Sequence, residues 1–178
     1  MGSDPIVIPK DGGDTFFMNS QASPEDQLNA SGVTHDAPGS LGLAVRIARE
    51  AHAGQVDKSG ADYIGHPLRV MDAVETTEAK TVAVLHDVVE DTPITIDDLR
   101  AGGFSEPVLA AVDAVTKRKG ETLAESMARV VAIPLARTVK LADVADNSDP
   151  SRLALLPIVD RARLQKKYAQ TLELLGEP

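Results

Sequence analysis

The sequence predicts an all-α fold, a bundle of about seven or eight helices. Hydrophobic residues make up 43% of the 178 residues but aromatic residues only 3%, so the core must consist mainly of Leu, Val, Ile and Ala. This composition favours close helix packing over a β-sandwich. From Leu41 onward apolar residues recur at helical spacing, and no segment shows the two-residue period of a half-buried strand.

The chain divides at about residue 39 into two parts. Residues 1–39 are rich in Gly, Ser, Pro, Asp and Asn and contain only isolated apolar clusters, which predicts a flexible leader. Residues 40–178 show helical periodicity almost throughout and are long enough to bury a substantial core. We therefore expect one folded domain over 40–178.

Local signals place the helix ends. Ser40 suits the N-cap of the first helix, Pro67 fits the first turn of the second, and Thr77 is a candidate cap for the third. Pro93 follows the end of the third helix, and Ser105 is placed to cap the fifth. The predicted helices span residues 41–54, 67–76, 78–90, 95–100, 106–116, 121–132, 134–147 and 158–175.

Charge and composition exclude several classes of protein. The formal net charge of −9 argues against sequence-independent binding of nucleic acid, which needs a basic surface. Cysteine is absent, which excludes disulfides and thiolate ligands and is compatible with a reducing cytoplasm. No apolar run approaches the roughly 20 residues that span a bilayer, and no secretory signal is recognisable. We expect a cytoplasmic protein without membrane or nucleic-acid partners.

A His-Asp doublet lies inside an otherwise apolar helical run. His86 and Asp87 follow Thr81–Leu85, although charged side chains are seldom buried unless they are paired or bind a metal. His66 and Asp143, each in its own short pattern, would complete a four-ligand site. Two imidazoles and two carboxylates suit Mn²⁺, Fe²⁺, Zn²⁺ or Co²⁺. Such an ion lowers the pKa of its water and polarises a phosphoryl oxygen, so the pattern indicates a metal-dependent phosphohydrolase.

Helical spacing groups acidic residues with the doublet. Residues four apart lie on one face of a helix, which aligns His86 with Glu90 and Asp87 with Asp91. Glu90 and Asp91 would then be placed to orient or deprotonate a water molecule.

A second polar face is predicted on the helix over 134–147. Lys140, Asp143 and Asn147 are spaced at i, i+3 and i+7 and share one face. They offer a cation for phosphate, a carboxylate for metal and an amide for substrate.

Residues 41–175 resemble the hydrolase half of the Rel/Spo alarmone enzymes. The matching patterns are YIGHPL at 63–68, LHDVVEDT at 85–92, VTK at 115–117 and VKLAD at 139–143, followed by Asn147. The resemblance implies an HD-domain helical bundle that removes the 3′-pyrophosphate of ppGpp or pppGpp in a Mn²⁺-dependent reaction. It is strongest to the small stand-alone alarmone hydrolases, so no synthetase activity is expected.

The resemblance also implies residue roles. The implied metal ligands are His66, His86, Asp87 and Asp143; the water-activating pair is Glu90 and Asp91; Lys58 and Asn147 lie near the substrate. Lys140, from its spacing alone, is a further candidate substrate-binding residue.

Two positions depart from the family pattern. Asp57 stands where an Arg that helps to hold the guanine is usual, and Asp146 stands where a His is usual. Two alternatives therefore stay open beside ppGpp hydrolysis. One is hydrolysis of another phosphorylated nucleotide, such as NADPH at its 2′-phosphate; the other is a non-catalytic nucleotide-binding HD module. The sequence leaves the oligomeric state open.

Overall fold

A computed structural model describes residues 36–58 and 60–177, and these residues form an all-α fold. The all-α prediction is confirmed. Eight of the ten helices in this part are six residues or longer, and α4 and α9 are shorter. The helices are α1 Leu41–Ala51, α2 Gly65–Asp72, α3 Thr77–Leu85, α4 Val88–Asp91, α5 Ile96–Ala101, α6 Glu106–Val115, α7 Leu123–Val131, α8 Pro134–Asn147, α9 Pro150–Ala154 and α10 Ile158–Leu174.

Helix α3 is the centre of the bundle. It packs against α1, α2, α6 and α8, and six of its nine residues are buried. A helix that is apolar around most of its circumference needs neighbours on all sides, which explains this position. Val82, Val84 and Leu85 form its part of a core completed by aliphatic side chains of the surrounding helices.

Polar caps fix several helix ends. Ser40 caps α1 as predicted, because its hydroxyl accepts a hydrogen bond from the Leu43 N–H. The cap of α3 is Thr76, one residue before the predicted Thr77. Thr122 forms a reciprocal capping box with Glu125, which satisfies two backbone donors at the start of α7.

The predicted continuous helix over 78–90 is wrong. Helix α3 ends at Leu85, and the chain turns through His86 and Asp87 before α4 begins. In a continuous helix, consecutive side chains diverge by about 100°. The break instead brings His86 Nε2 to 3.0 Å from Asp87 Oδ2. Two neighbouring residues therefore contribute to one polar cluster.

The described end of the predicted leader packs on the domain. Asp36 Oδ2 lies 3.0 Å from Arg46 Nε on α1. Gly39 has a φ of +68°, and its N–H donates to the Gly102 carbonyl at 2.9 Å. A Cβ at this position would lie 2.3 Å from the Gly103 carbonyl oxygen, so the contact requires glycine. Residues 1–35 of the predicted leader over 1–39 lie outside the described residues.

Among the described residues, no helix is long and apolar enough to cross a membrane.

Candidate metal centre and substrate cavity

Three buried side chains, two on helices and one just after a helix, form a candidate metal centre. His66 lies near the start of α2, His86 follows the end of α3, and Asp143 lies on α8. One potential ligand atom from each lies within 4.8 Å of the others. Asp143 Oδ1 lies 3.2 Å from His66 Nε2 and 3.7 Å from His86 Nε2. The structure thus brings together residues that are up to 77 positions apart, which is the distance from His66 to Asp143 in sequence.

Asp87, the fourth predicted ligand, borders this cluster. Its Oδ2 lies 3.0 Å from His86 Nε2 and 3.8 Å from His66 Nε2. The same oxygen accepts a hydrogen bond of 2.6 Å from the Tyr63 hydroxyl. Tyr63 therefore positions this carboxylate, a role that its place in the 63–68 motif did not reveal.

The ring of His86 is oriented for coordination. Its Nδ1 lies 2.7 Å from the Ala83 carbonyl, which can only accept, so Nδ1 bears the proton. Its Nε2 is buried, and the groups nearest to it, the carboxylates of Asp87 and Asp143, cannot donate a hydrogen bond to the neutral ring. A buried polar atom without a partner is costly unless an ion satisfies it. The nitrogen faces two carboxylates, a donor set that fits a divalent transition metal.

His52 provides an instructive contrast. Its Nε2 is also buried without a partner among the described residues, and its Nδ1 bonds Gln55 at 2.9 Å. It lies against Tyr63, with ring centroids 5.0 Å apart, and is not part of the three-residue cluster. The surrounding carboxylates, rather than the unpaired nitrogen alone, distinguish His86.

The proton equilibria of the cluster are strongly coupled. Burial has the largest single effect on the pKa of His86 and would lower it, but the charge and hydrogen bond of Asp87, the charge of Asp143 and the Ala83 carbonyl together raise this pKa to about 9. Burial opposes ionisation of Asp87 too, yet His86 lowers the pKa of this carboxyl to about 2. Despite burial, the pKa of Asp143 lies well below its usual range because of Lys140, His66 and His86. The carboxylates are therefore ionised at neutral pH, as metal ligands must be, whereas the imidazolium of His86 would have to release its proton when an ion binds.

Asp146 contacts the opposite side of His66. Its Oδ2 lies 2.7 Å from His66 Nδ1, and both of its oxygens accept hydrogen bonds from Arg69, at 2.6 and 3.1 Å. The sequence marks Asp146 only as a departure from the family pattern, at a position where a His is usual. In the structure it contacts the candidate metal centre instead.

A cavity of about 740 Å³ opens onto the centre. His66, Asp87 and Asp143 contribute to its wall, whereas His86 lies behind them. Its volume is within the range of small-molecule sites. Five basic side chains, in a chain of net charge −9, contribute to its lining: Lys58, Lys117, Lys140, Arg152 and Lys167.

The predicted substrate-binding residues all reach this cavity. Lys58, Lys140 and Asn147 line it. Lys140 Nζ lies 2.6 Å from Asp143 Oδ2, and the Asn147 amide donates to Asp143 Oδ1 at 2.5 Å. Both α8 residues therefore contact a candidate metal ligand as well as the cavity.

Sequence reasoning missed Lys167 as a cavity residue. The sequence places it only within the predicted helix over 158–175, but in the structure it lines the cavity from α10. Partial burial lowers its pKa, and the positive charges of Lys140, Lys117 and Lys58 lower it further. The ammonium groups of these four lysines repel one another. An anion bound in the cavity would reduce this repulsion.

The two predicted water-activating residues differ in position. Glu90 lines the cavity, and its Oε2 accepts a hydrogen bond of 2.9 Å from the Lys117 N–H. Asp91 is not among the described lining residues, and its Oδ2 lies 3.5 Å from the Tyr63 hydroxyl. Burial, together with the charges of Asp87 and Glu90, raises the pKa of Asp91.

Known proteins similar to this chain include several enzymes of guanosine tetraphosphate metabolism. A GTP pyrophosphokinase of Streptomyces coelicolor is 33% identical over 144 residues, which is 74% of this chain and 16% of that enzyme. A guanosine-3′,5′-bis(diphosphate) 3′-pyrophosphohydrolase of Haemophilus influenzae is 44% identical over 75 residues, 40% of this chain and 11% of that enzyme. The bifunctional (p)ppGpp synthase/hydrolase SpoT of Escherichia coli is 37% identical over 98 residues, 53% of this chain and 12% of that enzyme.

The fold is shared with a solved structure. A metazoan orthologue of SpoT that hydrolyses ppGpp superposes with a TM-score of 0.65 and 22% identity, over 80% of this chain and 88% of that one. No protein-family model matches the chain. This chain spans at most 16% of the length of the three curated relatives above. The resemblance predicted from the motifs is nevertheless confirmed.

Proposed function

Because the chain is a homologue of the Rel/Spo alarmone enzymes, we propose that it hydrolyses the 3′-pyrophosphate of ppGpp to give GDP and pyrophosphate. The main support is the cluster of His66, His86 and Asp143 at a cavity with five basic side chains. A metal-dependent phosphohydrolase needs metal ligands and phosphate-binding cations at the same site. The folded domain over 40–178 would be the catalytic unit and act in the cytoplasm.

His66, His86, Asp87 and Asp143 would hold one divalent ion, and family resemblance favours Mn²⁺. When bound, such an ion polarises a phosphoryl oxygen and lowers the pKa of coordinated water. His86 would bind the ion through Nε2, because its Nδ1 donates a hydrogen bond to the Ala83 carbonyl. Tyr63 restrains Asp87 through its 2.6 Å hydrogen bond. These contacts set the ligands before substrate arrives and so limit the reorganisation that binding requires.

Glu90 is the residue best placed to take a proton from the attacking water. It lines the cavity, and the Lys117 N–H holds its carboxylate in one orientation. Water oxygen adds to the phosphorus attached to O3′ as Glu90 accepts a proton from that water, the P–O3′ bond breaks, and the proton passes from Glu90 to O3′, which gives GDP and pyrophosphate. Asp91, the next residue in sequence, would place a second carboxyl group beside Glu90.

The basic side chains would bind the phosphates. Lys140 lies beside Asp143 and neutralises charge at the reacting phosphate, while Lys58, Lys117 and Lys167 contact the remaining phosphate oxygens. Asn147 would orient the substrate next to Asp143. Because the chain as a whole is acidic, this local cluster is also what draws an anion into the site.

Asp57 favours a second candidate reaction at the same centre. Its Oδ2 lies 3.6 Å from the Arg152 guanidinium, and both residues line the cavity. The Asp57 carboxylate adds a negative charge to the cavity wall, at the position where the resemblance predicts an Arg that holds the base. In this second reaction the substrate would be a different phosphorylated nucleotide, such as NADPH at its 2′-phosphate.

A substrate panel distinguishes these reactions. The Mn²⁺-loaded protein is assayed with ppGpp, pppGpp, NADPH and 3′-phosphoadenosine 5′-phosphate, and kcat/KM values are compared because this ratio measures discrimination. We expect ppGpp to rank first. A higher kcat/KM for NADPH would favour the second reaction, and nucleotide binding without turnover of any compound would indicate a non-catalytic module.

A further inference from the structure

Asp146 links the candidate metal centre to α2 from outside the ligand set. Its side chain is 12% exposed, and its Oδ2 lies 2.7 Å from His66 Nδ1. Arg69, on the same helix as His66, donates to both carboxylate oxygens of Asp146. Asp146 is therefore held by two hydrogen bonds while it contacts the imidazole.

This arrangement fixes the tautomer and the direction of the His66 ring. An ionised carboxylate can only accept a hydrogen bond, so His66 Nδ1 bears a proton and donates it to Asp146. His66 Nε2 is left to face Asp143 Oδ1 at 3.2 Å and Asp87 Oδ2 at 3.8 Å. Histidine ligands generally need such an acceptor behind the ring, and a carboxylate also makes the ring more basic.

The other histidine of the centre is oriented in the same sense by a different group. His86 Nδ1 donates to the Ala83 carbonyl at 2.7 Å, and its Nε2 faces Asp87. Both rings thus present Nε2 to the same carboxylates. The Ala83 carbonyl belongs to the backbone of α3, whereas Asp146 is a side chain that substitution can remove.

We infer that Asp146 is a positioning residue of the metal centre, which holds His66 in the orientation and tautomer that bind a divalent ion. This inference rests on the proposed function, because that function requires the ion. Asp146 itself lies behind the ring and does not replace any of the four ligands. Its removal should weaken metal binding without removing a ligand atom.

A purely structural role for Asp146 predicts a different result. In that case the residue would matter only because it joins α8 to Arg69 on α2, and its loss would lower thermal stability while leaving metal affinity unchanged. Arg69 is half-exposed, and its side-chain exposure is 46%. Arg69→Ala removes the same helix-to-helix link but retains the carboxylate behind His66.

The experiment is a calorimetric titration of the metal-stripped full-length chain with Mn²⁺. The variants are Asp146→Ala, Asp146→Asn and Arg69→Ala, with Asp160→Ala as the control. Asp160 likewise pairs with an arginine, Arg163 at 3.0 Å, but on the exposed face of α10. Circular dichroism in EDTA checks that each variant is folded.

We expect Asp146→Ala to weaken Mn²⁺ affinity by roughly 10- to 100-fold. Asp146→Asn should lose less, because the amide oxygen still accepts from Nδ1, and it also serves if the alanine variant fails to fold. Arg69→Ala and Asp160→Ala should stay within a few-fold of the wild type. With ppGpp, the activity lost by the Asp146 variants at low Mn²⁺ should return when Mn²⁺ is saturating.

Two outcomes would overturn the inference, and they are distinguishable. If wild type binds Mn²⁺ and both Asp146 variants bind it equally well, Asp146 does not position His66, and the proposed function stands. If wild type binds no divalent ion at any concentration, the proposed function fails and this inference fails with it.

Discussion

Loading the metal centre should raise the thermal stability of the chain, and this rise should depend on His86. An ion that binds the folded state alone stabilises it in proportion to the logarithm of its concentration. The cluster that would bind it joins α2, α3 and α8 and exists only when these helices are packed. Metal should therefore act on the global unfolding transition.

The size of the effect follows from the linkage relation. At a free Mn²⁺ concentration of 100 times Kd, the stabilisation is about 2.7 kcal/mol. For a domain of this size, each 1 kcal/mol shifts Tm by roughly 2–4 °C, so the expected shift is roughly 5–10 °C. A Mn²⁺ titration followed by differential scanning fluorimetry, with EDTA as the zero point, measures it.

His52→Ala is the matched control for His86→Ala. Both imidazoles are buried and both have an Nε2 without a partner among the described residues, but only His86 belongs to the cluster. Both substitutions should lower Tm in EDTA, because each leaves a cavity in packed structure. Only His86→Ala should abolish the Mn²⁺-dependent rise. Equal Mn²⁺ shifts in the two variants would refute the assignment of His86 as a ligand.

Three further predictions concern catalysis, substrate binding and folding. Glu90→Gln should lower kcat by roughly 10²- to 10⁴-fold while Mn²⁺ affinity stays within a few-fold, because Glu90 serves as a base and not as a ligand; an unchanged kcat would exclude this role. Lys167→Ala should raise KM by roughly 10- to 100-fold, because it removes a charge-assisted phosphate contact. Lys166→Ala, one position along α10 and outside the cavity, should leave KM unchanged. Equal KM values for the two variants would contradict the assignment of Lys167 as a phosphate-binding residue. Gly39→Ala should cost more than about 2 kcal/mol in urea unfolding, since its Cβ would lie 2.3 Å from a backbone carbonyl oxygen. Gly120→Ala, at φ +82° with open space around the Cβ, should cost about 1 kcal/mol, and equal costs would show that the Gly39 contact is unimportant.

Helical periodicity predicted the all-α class and most helix positions, because it depends on residues close together in sequence. It did not predict the break at His86, since the apolar residues Thr81–Leu85 are followed, after the polar doublet, by Val88 and Val89, so that nothing in the pattern ends the helix there. Helix α9 was also missed. Its five residues are too few for a period to appear, although Asp149 followed by Pro150 is a plausible helix start.

The residues of the candidate site were likewise predicted only in part. Short motifs marked His66, His86 and Asp143, and the structure places them in one cluster. Asp146 and Lys167 were not identified as site residues, because their roles depend on contacts between helices far apart in sequence. Periodicity indicates which face of a helix is buried, but not which other helix that face contacts.

Product analysis of ppGpp tests the central proposal most directly. Metal-stripped protein is incubated with ppGpp with and without Mn²⁺, beside Asp87→Ala, and the nucleotides and phosphates are separated by ion-exchange chromatography. The proposed function predicts equimolar GDP and pyrophosphate that depend on Mn²⁺ and are lost in the variant. Intact ppGpp in the Mn²⁺-loaded wild type, or equal product from Asp87→Ala, would contradict it.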